Sequence, residues 1–137
     1  MRLECAAASY ISKNGLPQPL SLSCAPAESA QAIAIVDPSP LWDELLADMQ
    51  AGMPQRAAAR FHLGWAHIWA GVALQVANET SIALSGGSFQ NTLISNRVAD
   101  TLENAGGHVI QHSAVPPNDG GIALGQLAVG LSLHRLS

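Results

Sequence analysis

The stretch Thr80-Ser81-Ile82-Ala83-Leu84-Ser85-Gly86-Gly87-Ser88-Phe89-Gln90-Asn91 constrains the chain more than any other. It runs a short apolar segment into two adjacent glycines and then into a helical pattern. That order reads as strand, tight turn and helix start. Glycine takes backbone angles closed to other residues, so Gly86 and Gly87 let the chain reverse there. The first N–H groups of the following helix lack intrahelical partners and carry partial positive charge, which favours an anion such as phosphate. Main-chain N–H groups and the hydroxyls of Ser85 or Ser88 would hold it. No Walker lysine follows, and the six-position dinucleotide fingerprint is absent. A second junction, Pro116-Pro117-Asn118-Asp119-Gly120-Gly121, repeats the glycine pair with a carboxylate added. The two pairs are expected to face one ligand.

The pattern around these junctions predicts an α/β fold. A strand at 80–84, a helix from Asn91 to Ala105 and a strand from His108 to Gln111 make a βαβ unit, which implies a partly parallel sheet. In open α/β sheets ligands bind at the carboxyl ends of strands, where both glycine junctions fall. Earlier in the chain, Met1 to Ile11 reads as a helix with Leu3, Ala7 and Tyr10 or Ile11 on one face. No capping residue precedes it, as if it began within something longer. Residues 12–30 are rich in Ser, Pro, Gly and Asn and are expected to be turns and irregular or edge structure. Ala32 to Val36 reads as a strand ending at Asp37-Pro38. Ser39-Pro40 offers a helix cap followed by a first-turn proline, with Leu41, Leu45, Leu46 and Met49 at helical spacing.

A longer helix is expected after Pro54, with Ala57, Phe61, Trp65, Ile68 or Trp69, Val72 and Val76 three and four apart. Its aromatic stripe of Phe61, Trp65 and Trp69 resembles a base-stacking platform, but such stripes more often pack a core, and packing is the reading taken here. The last helix spans Gly120 to His134, where Gly121 and Gly125 leave a flat face that can approach another backbone or a flat ligand.

A chain of 137 residues suits a single domain. Only 12% of the residues are charged against 48% apolar, where roughly a quarter charged is ordinary. A surface so short of charge is expected to be covered, by more of the same polypeptide or by a partner. The net charge of −4 and six scattered Lys and Arg argue against nucleic acid. The apolar segment from Ala57 to Ala77 is broken by Arg60, His62, His67 and Gln75, so no membrane span is expected. Cys5 and Cys24 form no disulfide framework or ligand spacing, which fits the cytoplasm.

Candidate chemistry is sparse. Asn118 and Asp119 precede a helix, and both residue types cap helices well. Asp119 is equally a hard oxygen ligand for a metal bridging phosphates, and both readings stand. The five histidines lack a zinc-hydrolase arrangement and are taken as structural or solvent-facing. No nucleophile-elbow Gly-x-Ser-x-Gly surrounds Ser85.

Two motifs in this order, Ile82 to Asn91 and Val115-Pro116-Pro117-Asn118-Asp119-Gly120-Gly121-Ile122-Ala123-Leu124-Gly125-Gln126, closely resemble the C-terminal end of the HypF carbamoyltransferases of [NiFe]-hydrogenase maturation. Met1-Arg2-Leu3-Glu4 and Asp37-Pro38-Ser39-Pro40-Leu41 also resemble that family, so the likeness runs over essentially the whole chain. It implies half of an actin-like, ribonuclease-H-like ATPase domain of the ASKHA type, a partly parallel sheet flanked by helices, with residues 1–137 as one lobe. It further implies ATP and a divalent metal as cofactors. Ser85, Gly86 and Gly87 would lie on nucleotide phosphates with Gly120 and Gly121 opposite, Asn91 near the nucleotide and Asp119 on the metal.

The full enzyme of such a family moves a carbamoyl group from carbamoyl phosphate, through a carbamoyl adenylate, to a cysteine thiol of a hydrogenase maturation partner. Its upstream domains, including the half of the module with a metal-binding histidine pair, have no counterpart here, and His62 and His67 do not match that pair. The missing upstream half is therefore an expected partner, and activity of this chain alone is left open. The competing expectation is a non-catalytic assembly module that self-associates through its uncovered face.

Overall fold

The structure, a computed structural model, describes residues 2–26, 34–77 and 81–135. The expected strand residues Ala32, Ile33 and Thr80 lie outside them. Five helices and two small sheets are present among the described residues. Helix α1 (Arg2–Asn14) ends where Gly15 takes a φ of +79°, a conformation that suits glycine. Strands β1 (Ser23–Pro26) and β2 (Ala34–Asp37) pair antiparallel, Ser23 opposite Asp37.

Helix α2 (Ser39–Gln50) starts one residue earlier than the Ser39 cap expected from sequence. Ser39 is the first helical residue, and the Asp37 carboxylate accepts from its N–H at 2.9 Å and its hydroxyl at 2.6 Å. These two bonds hold the Asp37 carboxyl below its ordinary value. Of the expected apolar stripe, Leu41 is buried while Leu46 and Met49 are exposed. The place on the inner face that a fourth apolar residue would take belongs to Asp48.

Asp48 is only 2% exposed, and a buried carboxylate has to be paired. Arg56 Nη2 lies 2.5 Å from its Oδ1 and Arg60 Nη1 3.0 Å from its Oδ2. Arg60 also pairs with Glu44 and donates Nε–H to the Gln18 carbonyl at 2.9 Å. Burial alone would raise the Asp48 carboxyl, and the hydrogen bonds and charges of the two arginines outweigh it, leaving it below its ordinary value. The network ties α2 to α3 (Pro54–Val76) across the sharp turn at Gly52.

Helix α3 is the axis of the molecule, and its buried face is made mostly of small residues. Ala58 and Ala59 meet Ala7 of α1, while Ala66 and Ala70 meet Val98, Ala99 and Leu102 of α4 (Thr92–Asn104). Leu20 lies along the same helix, its N–H bonded to the Arg60 carbonyl at 3.1 Å. A Cβ on Gly64 would come within 2.7 Å of the Leu20 carbonyl oxygen, so that approach requires glycine. His62 is buried, its Nδ1 2.7 Å from the Ala58 carbonyl.

Strands β3 (Ile82–Leu84) and β4 (Val109–Gln111) pair parallel around α4, Ile82 opposite Val109. This is the expected βαβ unit and partly parallel sheet. Leu84 closes the core from the sheet side. A 3-10 turn at Asp119–Gly121 leads into α5 (Ile122–Arg135). Every side chain from Ile122 to His134 is exposed, including Leu124, Leu127, Leu131 and Leu133.

Candidate nucleotide-binding wall

Both glycine junctions stand at the carboxyl ends of the parallel strands, and one hydrogen bond joins them. Gly86 has a φ of +99°, which a residue with a side chain rarely adopts. In that conformation its N–H donates to the Pro117 carbonyl at 2.6 Å. The turn that frees the chain to reverse also stitches the first loop to the second.

Beyond Gly86 the expected helix does not start at once. A single 3-10 turn, Gly87–Gln90, intervenes, closed by the Phe89 N–H to the Gly86 carbonyl at 3.1 Å. Helix α4 begins only at Thr92, and its first N–H groups are already satisfied. Asn91 is its cap, accepting from the Ile94 N–H at 3.1 Å. Glu4 of α1 accepts from the Thr92 N–H and hydroxyl, both at 2.8 Å, and from the Leu93 N–H at 3.4 Å. The start of α4 thus holds the chain's own carboxylate in place of the outward, unpaired donors expected from sequence. Burial works to raise the Glu4 carboxyl, and the bonds from Thr92 and Leu93 outweigh it, so it titrates below its ordinary value. Any anion at this loop would meet the shorter turn, where the N–H groups of Gly87 and Ser88 precede the first closing bond.

The two glycine pairs are built for different purposes. A Cβ on Gly87 would meet nothing within 4 Å, so its outer side is open. A Cβ on Gly120 would lie 3.0 Å from Asn118 Oδ1, and one on Gly121 3.0 Å from Val115 Cγ1 and 3.2 Å from the Pro116 carbonyl. Gly120 and Gly121 keep the second turn tight. Asn118 is the cap, its Oδ1 accepting from the Gly120 N–H at 2.9 Å, and the Asp119 side chain is exposed.

Among the described residues no three His, Cys, Asp or Glu side chains gather as a metal site. A lone carboxylate is nonetheless compatible with magnesium, which takes most of its ligands from phosphates and water. Cys5 and Cys24 are free and exposed.

A cleft of about 620 Å³ opens between α3 and the segment from Ile82 to Phe89. Its α3 wall is the aromatic stripe expected to pack the core. Trp65 and Trp69 stack at 6.2 Å and 23°, Phe61 meets Trp65 edge-on, and Trp69 is 47% exposed. Alanines take the inner faces of α3 because close helix packing needs small residues, which leaves the bulky rings for the side facing the cleft. Among the described residues the buried Trp65 Nε1 has no hydrogen-bond partner.

His112 is a contact that sequence reasoning passed over: its Nε2 lies 3.0 Å from Ser85 Oγ. The signal for it was the parallel register, which sets residues 27 apart opposite one another at Ile82 and Val109 and again at Ser85 and His112.

No helix among the described residues is long and apolar enough to cross a membrane. Residues 1–126 match the family model of the carbamoyltransferase Kae1-like domain, second subdomain. Carbamoyltransferase HypF of Rhodobacter capsulatus is 33% identical over 97 residues, 69% of this chain and 12% of that protein. A carbamoyltransferase HypF homolog of Cupriavidus necator is 33% identical over 130 residues, 90% of this chain and 32% of the homolog. Among solved structures, full-length HypF in the phosphate- and nucleotide-bound form superposes with a TM-score of 0.71 at 28% identity, covering 85% of this chain and 15% of that one. The T. kodakarensis HypF structure gives 0.67 at 25%, covering 94% and 16%. The chain spans a small part of each of these proteins, and it belongs to the HypF carbamoyltransferase family, matching the second subdomain of its Kae1-like domain.

Proposed function

We propose that the chain is the nucleotide-binding lobe of a cytoplasmic carbamoyltransferase module. The complete enzyme would pass a carbamoyl group from carbamoyl phosphate, through a carbamoyl adenylate, to a cysteine thiol of a hydrogenase maturation partner. The observation that carries this reading is the bond from the Gly86 N–H to the Pro117 carbonyl. It sets two loops side by side at the carboxyl ends of parallel strands, where α/β folds receive ligands. That a solved relative was crystallised with phosphate and nucleotide supports nucleotide binding by the complete enzyme.

In this reading residues 1–137 act as one lobe. Ser85, Gly86 and Gly87 line the ATP phosphates, with Gly120 and Gly121 shaping the facing turn and Asn91 ordering the helix behind them. Asp119 supplies one carboxylate to a divalent cation that the phosphates also hold. The upstream half of the module would cover the aromatic wall and α5.

Calorimetry with an ATP analogue and magnesium tests the site. The measurement is made on the chain alone and mixed with the upstream portion of the Rhodobacter capsulatus relative. Binding is expected to weaken at least tenfold in a Gly87→Asp, Asp119→Ala variant, and unchanged binding in both settings would refute the assignment.

A second reading, a non-catalytic assembly module, is favoured by one observation: the wholly exposed apolar helix α5. Sedimentation separates the two. Self-association abolished by Leu127→Glu, without nucleotide binding, supports the assembly module, whereas a monomer that binds nucleotide supports the lobe.

A further inference from the structure

Strands β3 and β4 are flanked at both ends by the same cross-strand pair. Before the strands begin, Ser81 Oγ lies 2.9 Å from His108 Nδ1. After they end, Ser85 Oγ lies 3.0 Å from His112 Nε2. Side chains alternate along a strand, so positions four apart share a face. That alternation ends with the strands: His112, beyond β4, lines the same recess as Leu84, and both histidines are exposed. Only the second pair adjoins the glycine turn, and only its serine lies in the wall of the cleft.

A serine hydroxyl has one proton to donate and lone pairs to accept with. If Nε2 of His112 were the bare nitrogen, the Ser85 proton would be spent on it and Ser85 would turn lone pairs to the loop, repelling an anion. If Nε2 carries the proton, the imidazole donates to Ser85 Oγ and the hydroxyl proton is free to point outward. The side chains lining the recess between these strand ends and α4, among them Thr92, Ser95, Asn96, Gln111 and Pro117, carry no charge that would oppose either form.

The geometry points to His112 as a positioning residue that donates from Nε2 to Ser85 and thereby aims the Ser85 hydroxyl proton at a phosphate oxygen seated on the Gly86-Gly87 turn. This rests on the phosphate reading of that turn, and His108 is its internal control, since the N–H groups of the Gly106-Gly107 turn beside it are already bonded to the Glu103 and Leu102 carbonyls, each at 2.9 Å.

Two measurements on the full 137-residue chain test it. Long-range proton–nitrogen NMR of the imidazoles reads the tautomer without any ligand. His112 is expected in the Nε2–H form, with that preference lost in Ser85→Ala. A bare Nε2, or a tautomer indifferent to Ser85→Ala, overturns the proposal. Titration with ADP and magnesium, and separately with inorganic phosphate, reads the consequence. His112→Leu should weaken binding by about fivefold to tenfold, the loss of one hydrogen bond's worth of orientation. His112→Gln, whose amide can donate in place of Nε2, should restore most of it, and His108→Leu should leave it unchanged. Equal losses in His108→Leu and His112→Leu would mean a merely structural role and overturn it. If the parent chain binds neither probe, the phosphate reading of the turn fails and the proposal fails with it. If the parent binds and His112→Leu binds equally well, only the proposal fails.

Discussion

The half of the molecule built from α1, α2 and α3 closes on itself, while the half from β3 to α5 leaves its polar and apolar groups facing outward. In the first, a carboxylate buried to 2% exposure has two arginine partners, and Gly64 sits where a methyl group would strike a backbone carbonyl. In the second, Gly87 faces open space, and α5 exposes its leucines. The difference teaches where selection for stability ends. The helical half is a platform whose buried charges are paired within the chain, and the βαβ half presents an open turn and an exposed apolar helix. Substitutions in the first should therefore cost folding, and those in the second should cost binding.

The largest effect is expected at Asp48. Asp48→Ala leaves Arg56 and the mostly buried Arg60 without their shared partner, and breaking a buried pair from one side costs about 3–5 kcal/mol. Chemical denaturation monitored by circular dichroism reads it. The pH dependence follows in sign. A carboxyl held below its ordinary value of 3.8 in the fold contributes stability that is complete above that value and lost as pH falls through the lower, folded one. Asp48→Asn should flatten this acid limb. A steep loss at acid pH that persists unchanged in Asp48→Asn would break the claim that the platform depends on this pair.

Gly64→Ala is next. A Cβ 2.7 Å from the Leu20 carbonyl oxygen forces backbone apart, since no flexible side chain is there to yield. Overpacking of this kind costs about 1–3 kcal/mol, read as a lower denaturation midpoint with an unchanged slope. A midpoint at or above that of the parent would show that the 15–22 segment is not held against α3.

Glu4 joins the two halves, and its effect should be smaller. Glu4→Gln keeps an acceptor for Thr92 but removes the charge at the start of α4, worth about 1 kcal/mol. Because the Glu4 carboxyl titrates below its ordinary value of 4.5, the difference between parent and variant is present at pH 7 and vanishes as pH falls through the folded value. Hydrogen exchange of the first α4 amides localises it. Faster exchange confined to α1 would show that the contact serves α1 alone.

How much of this was legible in the sequence follows the same division. The βαβ unit was readable because glycine pairs and short apolar runs are local signals, and its register then paired Ser85 with His112. The helices α2 and α3 were readable from their first-turn prolines, Pro40 and Pro54. What was misread depended on distant partners. Phe61, Trp65 and Trp69 were assigned to the core because periodicity weights large residues, while the faces of α3 that α1 and α4 contact turned out to be alanine. The start of α4 looked free because Glu4, 88 residues away from Thr92, gives no local sign of reaching it. Asp48 gave no local sign of burial because Arg56 and Arg60 approach it only through the turn at Gly52.

The smallest effect on stability, and the sharpest on the comparison, is expected at Gly87. Its neighbour Gly86 needs a positive φ, and Gly87 does not. Its Cβ would meet no atom within 4 Å. Gly87→Ala should then be neutral in folding or stabilise by about 0.5 kcal/mol, through a less flexible unfolded chain. The same methyl group would project over the turn where, in the proposed reading, phosphate oxygens approach the Gly87 and Ser88 N–H groups. Binding of ADP with magnesium should fall at least fivefold while the denaturation midpoint holds. Gly86→Ala behaves differently, because straining a positive φ costs about 1–2 kcal/mol and loosens the bond to Pro117, so both readouts fall together. Separation of the two readouts at Gly87 and their coupling at Gly86 would place the division between platform and surface between two adjacent residues. If Gly87→Ala unfolded the chain as Gly64→Ala does, the open side of the turn would belong to the platform and the contrast between the halves would not hold.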